Sequence, residues 1–195
     1  MTSPVSAAGP VVLPAPGPES APGTRDLERV EDFLHRAIES TGNREAAALG
    51  SELAFAGGKR LRPRLFLLSF RASASFDPPP HVYRLAAALE LLHLATLVHD
   101  DVIDGATVRR SRPSLNAAYG ERAAVLIGDF FFSRFLQAAA PSGPRALGLL
   151  SAVVSRMVEG ELEQAHHRFD LNLSEARYLR IIAKKTAAFL AAACE

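Results

Sequence analysis

Apolar residues recur at three- and four-residue intervals along most of the chain from residue 26 onward. In the first segment Leu27, Val30, Leu34 and Ile38 fall on one face of a helix, and charged residues occupy the opposite face. Clusters of Gly and Pro interrupt the pattern and end the predicted helices. No alternation of apolar and polar residues bounded by turns indicates a strand, so the predicted fold class is all-α with seven or eight helices. Their predicted bounds are 26–41, 44–56, 59–70, 81–104, 114–119, 121–140, 145–167 and 174–195.

Residues 1–24 do not share this pattern. They are rich in Pro, Ala, Gly and Ser, and prolines interrupt every apolar stretch, which predicts a disordered tail before one domain spanning residues 25–195. A secretory signal would begin with basic residues, whereas the first basic residue is Arg25. No stretch approaches the roughly 20 apolar residues that cross a bilayer. Together with Cys194 as the only cysteine, this predicts a cytoplasmic protein without a membrane span.

The overall charge is nearly balanced, with 22 basic and 21 acidic residues among 195. Such a balance does not favour a nucleic-acid partner held by bulk electrostatics. The basic residues are instead concentrated locally, at positions 59–64 and 109–112.

The most informative segment is the aspartate-rich run at residues 99–104, which residues 109–110, both arginine, follow closely. On a helix, Asp100 and Asp104 project from one face with their Cβ atoms about 6 Å apart, and Asp101 turns about 100° away. Two carboxylates so placed repel each other unless a cation lies between them, and hard oxygen donors beside a diphosphate favour Mg2+. The run therefore predicts a magnesium–diphosphate site. The alternative is an acidic pair that is merely solvated at a helix end.

A second candidate anion site lies at GGKRLRP. The glycines at 57–58 let the main chain approach an anion, and Lys59 and Arg62 add charge at the start of a helix. The alternative is a glycine pair that ends one helix, followed by a solvated basic turn.

Three further features are ambiguous when each is taken alone. His93 lies two turns before the aspartates on almost the same helix face, but a histidine among leucines is often a core residue. The arginines at 109–110 could form a surface ion pair with the aspartates. The charged segment 184–186 lies inside an apolar helix, where lysine stems can still extend to solvent.

A cluster of acidic residues and histidines lies in the helix before that segment. Its spacing resembles a metal cluster, but a solvated helix face is the favoured interpretation. Its members are Glu159, Glu161, Glu163, His166 and His167.

The motifs GGKRLRP, HLATLVHDDVID, RRSRP, GDFFFSR and KKTA occur in an order and spacing that resembles the trans-isoprenyl diphosphate synthases, or polyprenyl synthases. The resemblance covers about residues 26–195. It implies an isoprenoid-synthase-type helical bundle, of which the chain would hold the first seven or eight helices. It also implies a Mg2+-dependent prenyltransferase that joins isopentenyl diphosphate to an allylic diphosphate, as a homo- or hetero-oligomer.

The resemblance also implies roles for single residues. Asp100 and Asp104 would bind the Mg2+ that bridges to the allylic diphosphate, and Asp101 would act indirectly, behind them. The residues implied to contact the allylic diphosphate during catalysis are Arg109, Lys185 and Thr186.

The other substrate and the product length have implied determinants as well. Ala95 and Thr96 stand five and four residues before Asp100, where bulky aromatic residues in this family stop chain growth, so small residues imply a product of C20 or longer. Isopentenyl diphosphate would be held by Lys59, Arg62, His93 and Arg110.

The sequence departs from the family pattern in two places. Ser111 stands where the family usually has Gly, and the second aspartate-rich motif that normally follows the Lys-Thr pair does not occur in the chain. Three explanations remain open: part of a longer synthase, one half of a split enzyme whose partner supplies the motif, or a non-catalytic diphosphate- or prenyl-binding subunit of a heteromeric synthase. Terpene synthases share the aspartates but generally lack the GGKRLRP segment.

Overall fold

A computed structural model describes residues 23–195, and the prediction of an all-α fold is confirmed. The first four helices lead into one short hairpin. They are α1 (Thr24–Glu39), α2 (Arg44–Ala54), α3 (Leu61–Ser73) and α4 (Pro80–Ile103), and the hairpin strands are β1 (Val108–Arg109) and β2 (Arg112–Pro113). The remaining elements are α5 (Leu115–Tyr119), α6 (Glu121–Ala139), a 3-10 turn (Ala140–Ser142), α7 (Pro144–His166), α8 (Glu175–Ile182), a π-helical turn (Ala183–Ala187) and α9 (Ala188–Ala192).

The helix predicted at 59–70 lies at Leu61–Ser73, because Arg60 has a left-handed backbone conformation and is its N-cap. The described residues differ from the prediction more strongly at two other places. Residues 109–113, predicted as an irregular turn, lie largely within the β1–β2 hairpin, in which Arg109 pairs with Arg112. Both residues of its tight turn, Arg110 and Ser111, have positive φ angles of 49° and 64°. Positive φ at both positions is typical of the turns that match strand twist, and it costs a residue other than glycine about 1 kcal/mol. The predicted helix 174–195 is interrupted by the π-helical turn, while its predicted cap is present, with Ser174 Oγ accepting from the amide of Arg177.

Helix α4 is the centre of the described bundle. It packs against α1, α3 and α6, and it is buried around most of its circumference. Leu89, Leu91 and Leu92 are all fully buried although they point in different directions. A helix that is apolar all round belongs in a core, and here the surrounding helices provide that core.

By length and apolar composition alone, two segments could cross a membrane, in contrast to the expectation from the sequence: Pro80–Ile103 and Glu121–Ser142. In the first, 67% of the most apolar window is buried against other helices. That burial is the pattern of a core helix. In the second segment the buried share is 39%.

The predicted disordered tail lies outside the described residues except for its last two positions. Helix α1 already includes Thr24 and is fixed near its start by Asp26, which is buried. Asp26 accepts hydrogen bonds from Tyr83 Oη at 2.7 Å and from Arg71 Nε at 3.1 Å. These bonds connect α1 to α3 and α4 at the end of the bundle opposite the aspartate-rich run.

Helix α7 approaches the π-helical turn very closely at Gly160. A Cβ atom at this position would lie 2.9 Å from Lys184 Cβ and 2.9 Å from the backbone nitrogen of Lys185. No larger residue fits without displacing backbone. A π-helical turn widens the helix by one residue per turn, and such turns occur often at functional sites.

Gly160→Ala should therefore destabilise the protein by about 1–3 kcal/mol, because the added methyl group overpacks a backbone contact. The matched control is Gly148→Ala in the same helix, where a Cβ would meet nothing within 4 Å. The control should stabilise the protein by about 0.5–1 kcal/mol through helix propensity. Urea unfolding of both variants measures the difference, and equal effects would contradict the close approach.

Candidate active site

The aspartate-rich run lies where α4 ends. The helix continues to Ile103, and Asp104 is its C-cap, with its amide donating to the Asp100 carbonyl oxygen at 2.8 Å. The Asp100 side chain is half-buried at 26% exposure, Asp104 is exposed and Asp101 is buried. The three carboxylates therefore occupy different surroundings although they are close in sequence.

Asp101 forms a bidentate ion pair with Arg109. Its two oxygens accept from Arg109 Nε at 2.5 Å and Nη2 at 2.6 Å. Hydrogen bonding to Asp101 raises the pKa of the Arg109 guanidinium. The ion pair that the sequence left open thus forms with Asp101, and it fixes the hairpin against the end of α4. Bidentate pairs of this kind orient an arginine strictly.

Lys185 brings the π-helical turn to the aspartates. Its Nζ lies 3.7 Å from Asp100 Oδ2 and also contacts the Glu161 carboxylate. Burial raises the pKa of Asp100, the cation of Lys185 opposes this shift, and the nearby Glu161 and Asp104 add to it. Thr186 follows on the same turn and is exposed.

The interpretation of the acidic cluster on α7 as a solvated helix face is wrong for two of its members. Glu161 is only 17% exposed because it pairs with Lys185, and Glu163 accepts from Lys184 Nζ at 3.3 Å. The three glutamates of the cluster form ion pairs with the two lysines of the π-helical turn. Sequence reasoning named Glu161 but missed its pairing with Lys185, and the signal that could have found it was the lysine pair in an apolar helix, which needs acidic partners.

The glycine-rich segment lies beside the hairpin. Gly57 and Gly58 have φ angles of 98° and 150°, and Arg110 donates to the Gly57 carbonyl. A Cβ on Gly58 would come within 3.3 Å of Arg110 Nη1. The positive φ angles favour glycine at both positions. Lys59 follows and is exposed.

Two polar groups next to this segment have no hydrogen-bond partner within residues 23–195. They are Nε of Arg62 and Nδ1 of His93, both buried. The Arg62 guanidinium lies 4.9 Å from the centroid of the Phe189 ring. Burial, followed by the charges of Arg62 and Arg110, lowers the pKa of His93 to about 3. Because buried polar atoms normally have partners, unpaired groups beside several arginines favour an anionic ligand.

A charge network that sequence reasoning did not find is centred on Arg60, next to the glycine-rich segment. Arg60 is 8% exposed and has a φ of 48°. Its Nε donates to Glu31 at 2.6 Å, one Nη donates to Glu90 at 3.3 Å, and the other to the Ala54 carbonyl at 2.8 Å. Burial raises the pKa of Glu90. Glu90 alone in an otherwise apolar stretch of α4 was the signal that a cation must lie opposite.

The two residues implicated in product length lie further back along α4. Thr96 is half-buried one turn before Asp100, and its hydroxyl donates to the His93 carbonyl at 2.8 Å. Ala95 is 2% exposed and belongs to the hydrophobic core.

The end of α4 thus has two different corners. One holds oxygen donors, Asp100 and Asp104, beside the cation of Lys185, and a hard divalent cation with an anionic ligand fits this donor set. The other holds Arg62, His93 and Arg110 and fits an anion without a metal. The all-α bundle thus carries two neighbouring clusters of charged side chains on and beside α4, one of carboxylates with a lysine and one of arginines with a histidine.

Comparison with known proteins identifies the family. The polyprenyl synthetase family model matches residues 44–195, so the chain belongs to this family. Heptaprenyl diphosphate synthase component 2 from Geobacillus stearothermophilus is 42% identical over 173 residues, which are 87% of this chain and 52% of that protein. Octaprenyl diphosphate synthase from Escherichia coli is 38% identical over 75% of this chain and 45% of its own length.

Solved structures show the same fold. The polyprenyl synthase from Caulobacter crescentus, complexed with calcium and isoprenyl diphosphate, superposes with a TM-score of 0.81 at 38% identity, over 87% of this chain and 51% of that one. A decaprenyl diphosphate synthase from Rhodobacter capsulatus gives a TM-score of 0.82 at 35% identity, over 87% and 52%. The predicted isoprenoid-synthase bundle is confirmed, and the chain spans about half the length of the relatives it matches.

His93 should make stability depend on pH. Its pKa is lowered in the folded state to about 3, against about 6.5 in the unfolded chain, so its contribution is complete above pH 6.5 and is lost as the pH falls towards 3. When the pH is lowered from 7.5 to 5.5, the free energy of unfolding should fall in the wild type by about 1 kcal/mol more than in His93→Gln. Urea unfolding at both pH values measures this loss. His81→Gln, on the exposed first turn of α4, is the control and should behave like the wild type.

Proposed function

We propose that this chain is the part of a trans-polyprenyl diphosphate synthase that binds both substrates, and that the synthase extends an allylic diphosphate with isopentenyl diphosphate to products of C20 or longer. One observation carries the proposal. The contact between Lys185 and Asp100 creates a cation-and-carboxylate corner at the end of α4, and the unpaired polar groups of Arg62 and His93 lie nearby. A reaction that joins two diphosphate esters needs two such neighbouring sites. The names of the relatives, octaprenyl and heptaprenyl diphosphate synthases among them, support the same reaction class.

The allylic diphosphate is assigned to the first corner. Asp100 and Asp104 would hold Mg2+, and Arg109, Lys185 and Thr186 would contact the diphosphate. When bound, Mg2+ supplies positive charge against the negative charge that grows on the departing diphosphate. Lys185 and Arg109 add fixed cations to the same end, and preorganised charges of this kind stabilise a transition state strongly.

Isopentenyl diphosphate is assigned to the second corner, with Lys59, Arg62, His93 and Arg110 as its contacts. Neutral His93 would contribute a hydrogen bond without adding charge, because its pKa is lowered to about 3. The double bond of isopentenyl diphosphate attacks the allylic carbon after its C–O bond breaks, and the departing diphosphate takes the proton that is lost. No side chain acts as a nucleophile in this scheme.

The remaining metal ligands would come from a further segment, either of the same polypeptide or of a partner chain in a homo- or hetero-oligomer. The surface of α7 and α8 supports such a neighbour, since Leu162 is 67% exposed and Val158 and Tyr178 are more than half exposed. One relative is itself called a component of a heptaprenyl diphosphate synthase, which favours a heteromer. A non-catalytic subunit of such an assembly is the second candidate function. In either case we place the protein in the cytoplasm.

Elongation of an allylic diphosphate with labelled isopentenyl diphosphate and Mg2+ tests the function. Asp100→Asn and Asp104→Asn should each reduce elongation at least about a hundredfold, because each removes a carboxylate from the cation site. Asp32→Asn, on an exposed face of α1, is the control and should have no effect.

The outcome also separates the alternatives. Elongation by the chain alone would exclude the split-enzyme and non-catalytic explanations. Binding of pyrophosphate with Mg2+ but without turnover would favour them. A chain that binds neither diphosphate would contradict the proposed function.

Product length provides a separate prediction. Thr96→Phe and Ala95→Phe should each shorten the product, since an aromatic ring one turn before the aspartates would occupy the space into which the chain grows. Leu136→Phe, at a 46% exposed position of α6, is the control and should leave the product length unchanged. Chromatography of the products measures their length. An active Thr96→Phe variant with an unchanged product distribution would contradict the assignment.

A further inference from the structure

The π-helical turn places two consecutive lysines on opposite sides of α7. Lys184 Nζ lies 3.4 Å from a carboxylate oxygen of Glu159 and 3.3 Å from one of Glu163. These two glutamates are one helical turn apart on the same side of α7. Lys185 extends past the other side, where it contacts Glu161 and lies 3.7 Å from Asp100. Glu159 and Glu163 thus pair with Lys184, and Glu161, which lies between them in the sequence, pairs with Lys185.

The two acidic partners of Lys185 are not equivalent. Asp100 belongs to the carboxylate pair at the end of α4, so any cation held there competes with Lys185 for its oxygens. Glu161 lies on a different helix and is 17% exposed. When Asp100 binds a cation, Glu161 is the remaining acidic partner of Lys185 among the described residues.

We infer that Glu161 is a positioning residue that holds the ammonium group of Lys185 beside Asp100. The ammonium group is then already in position to contact a diphosphate that binds with a metal ion at Asp100. This inference rests on the proposed function. The backbone of the two lysines is also held close to α7, because Gly160 lets the helix come within contact distance of Lys184 and Lys185.

A purely electrostatic role for Glu161 predicts the opposite effect. A carboxylate next to an anion site repels the anion, so its removal should then tighten diphosphate binding. If Glu161 instead orients Lys185, its removal should weaken binding, because a lysine side chain with four rotatable bonds loses its preferred position. The sign of the effect therefore distinguishes the two roles.

The test is calorimetric titration of the full 195-residue chain with inorganic pyrophosphate in the presence of Mg2+. Glu161→Leu should weaken binding about tenfold. Glu161→Gln, which keeps a hydrogen-bond acceptor for the ammonium group, should stay within about threefold of the wild type. Glu163→Leu is the matched control, because Glu163 is similarly buried and pairs with Lys184 instead. Circular dichroism confirms that each variant is folded.

A double-mutant cycle with Lys185→Met completes the test. If Glu161 acts through Lys185, the double variant Glu161→Leu/Lys185→Met should bind no more weakly than Lys185→Met alone. Unchanged or tighter binding by both Glu161 variants, or additive losses in the double variant, would overturn the inference and leave the proposed function intact. A wild-type chain that binds no pyrophosphate would overturn the proposed function, and this inference with it.

Discussion

The burial of α4 is the constraint on which the rest of the described structure depends. Apolar residues cover almost its whole circumference, so the helix cannot rotate or shift by one residue without exposing part of the core. Its orientation fixes the directions in which the acidic side chains leave its last turns. Asp100 points to the π-helical turn, and Asp101, one residue later, points to the hairpin. The buried helix therefore determines which helix or hairpin each carboxylate meets.

Charges inside the bundle fall into two groups. Those in the first group are paired within the fold: Arg60 is surrounded by acceptors, and Asp101 accepts from Arg109. Arg62 and His93, by contrast, each have a buried nitrogen without a partner within residues 23–195. An unpaired buried polar group costs stability, and the same holds for Nε of Arg84 and Arg134. Arg62 and His93 differ from these two in lying close to each other and to Arg110, where an anion would supply the missing partner.

Much of the fold and part of the candidate site could be predicted from the sequence, because helix periodicity, glycine pairs and the four-residue spacing of the aspartates are local properties. The approximate positions of most helices followed from the periodicity and the glycine pairs. The separation of Asp101 from the other aspartates followed from their spacing. The π-helical turn, the hairpin at 108–113 and the role of Glu161 could not be predicted in this way. Each depends on a contact between residues far apart in the chain, such as Lys185 with Glu161, and periodicity carries no information about such contacts.

Residue choice along the chain decided that this protein is helical, where most of its helices begin and end, and where its charged side chains are concentrated. Those features depend on hydrogen bonds and side-chain spacings within a few residues. The tertiary structure alone decided which charged side chains pair with each other and which have no partner among the described residues. Glu161 and Glu90 could each have been a solvated acid, and packing gave the first to Lys185 and the second to Arg60. The reason is that burial and the approach of distant helices set the electrostatic environment of a side chain, and neither exists before the chain folds.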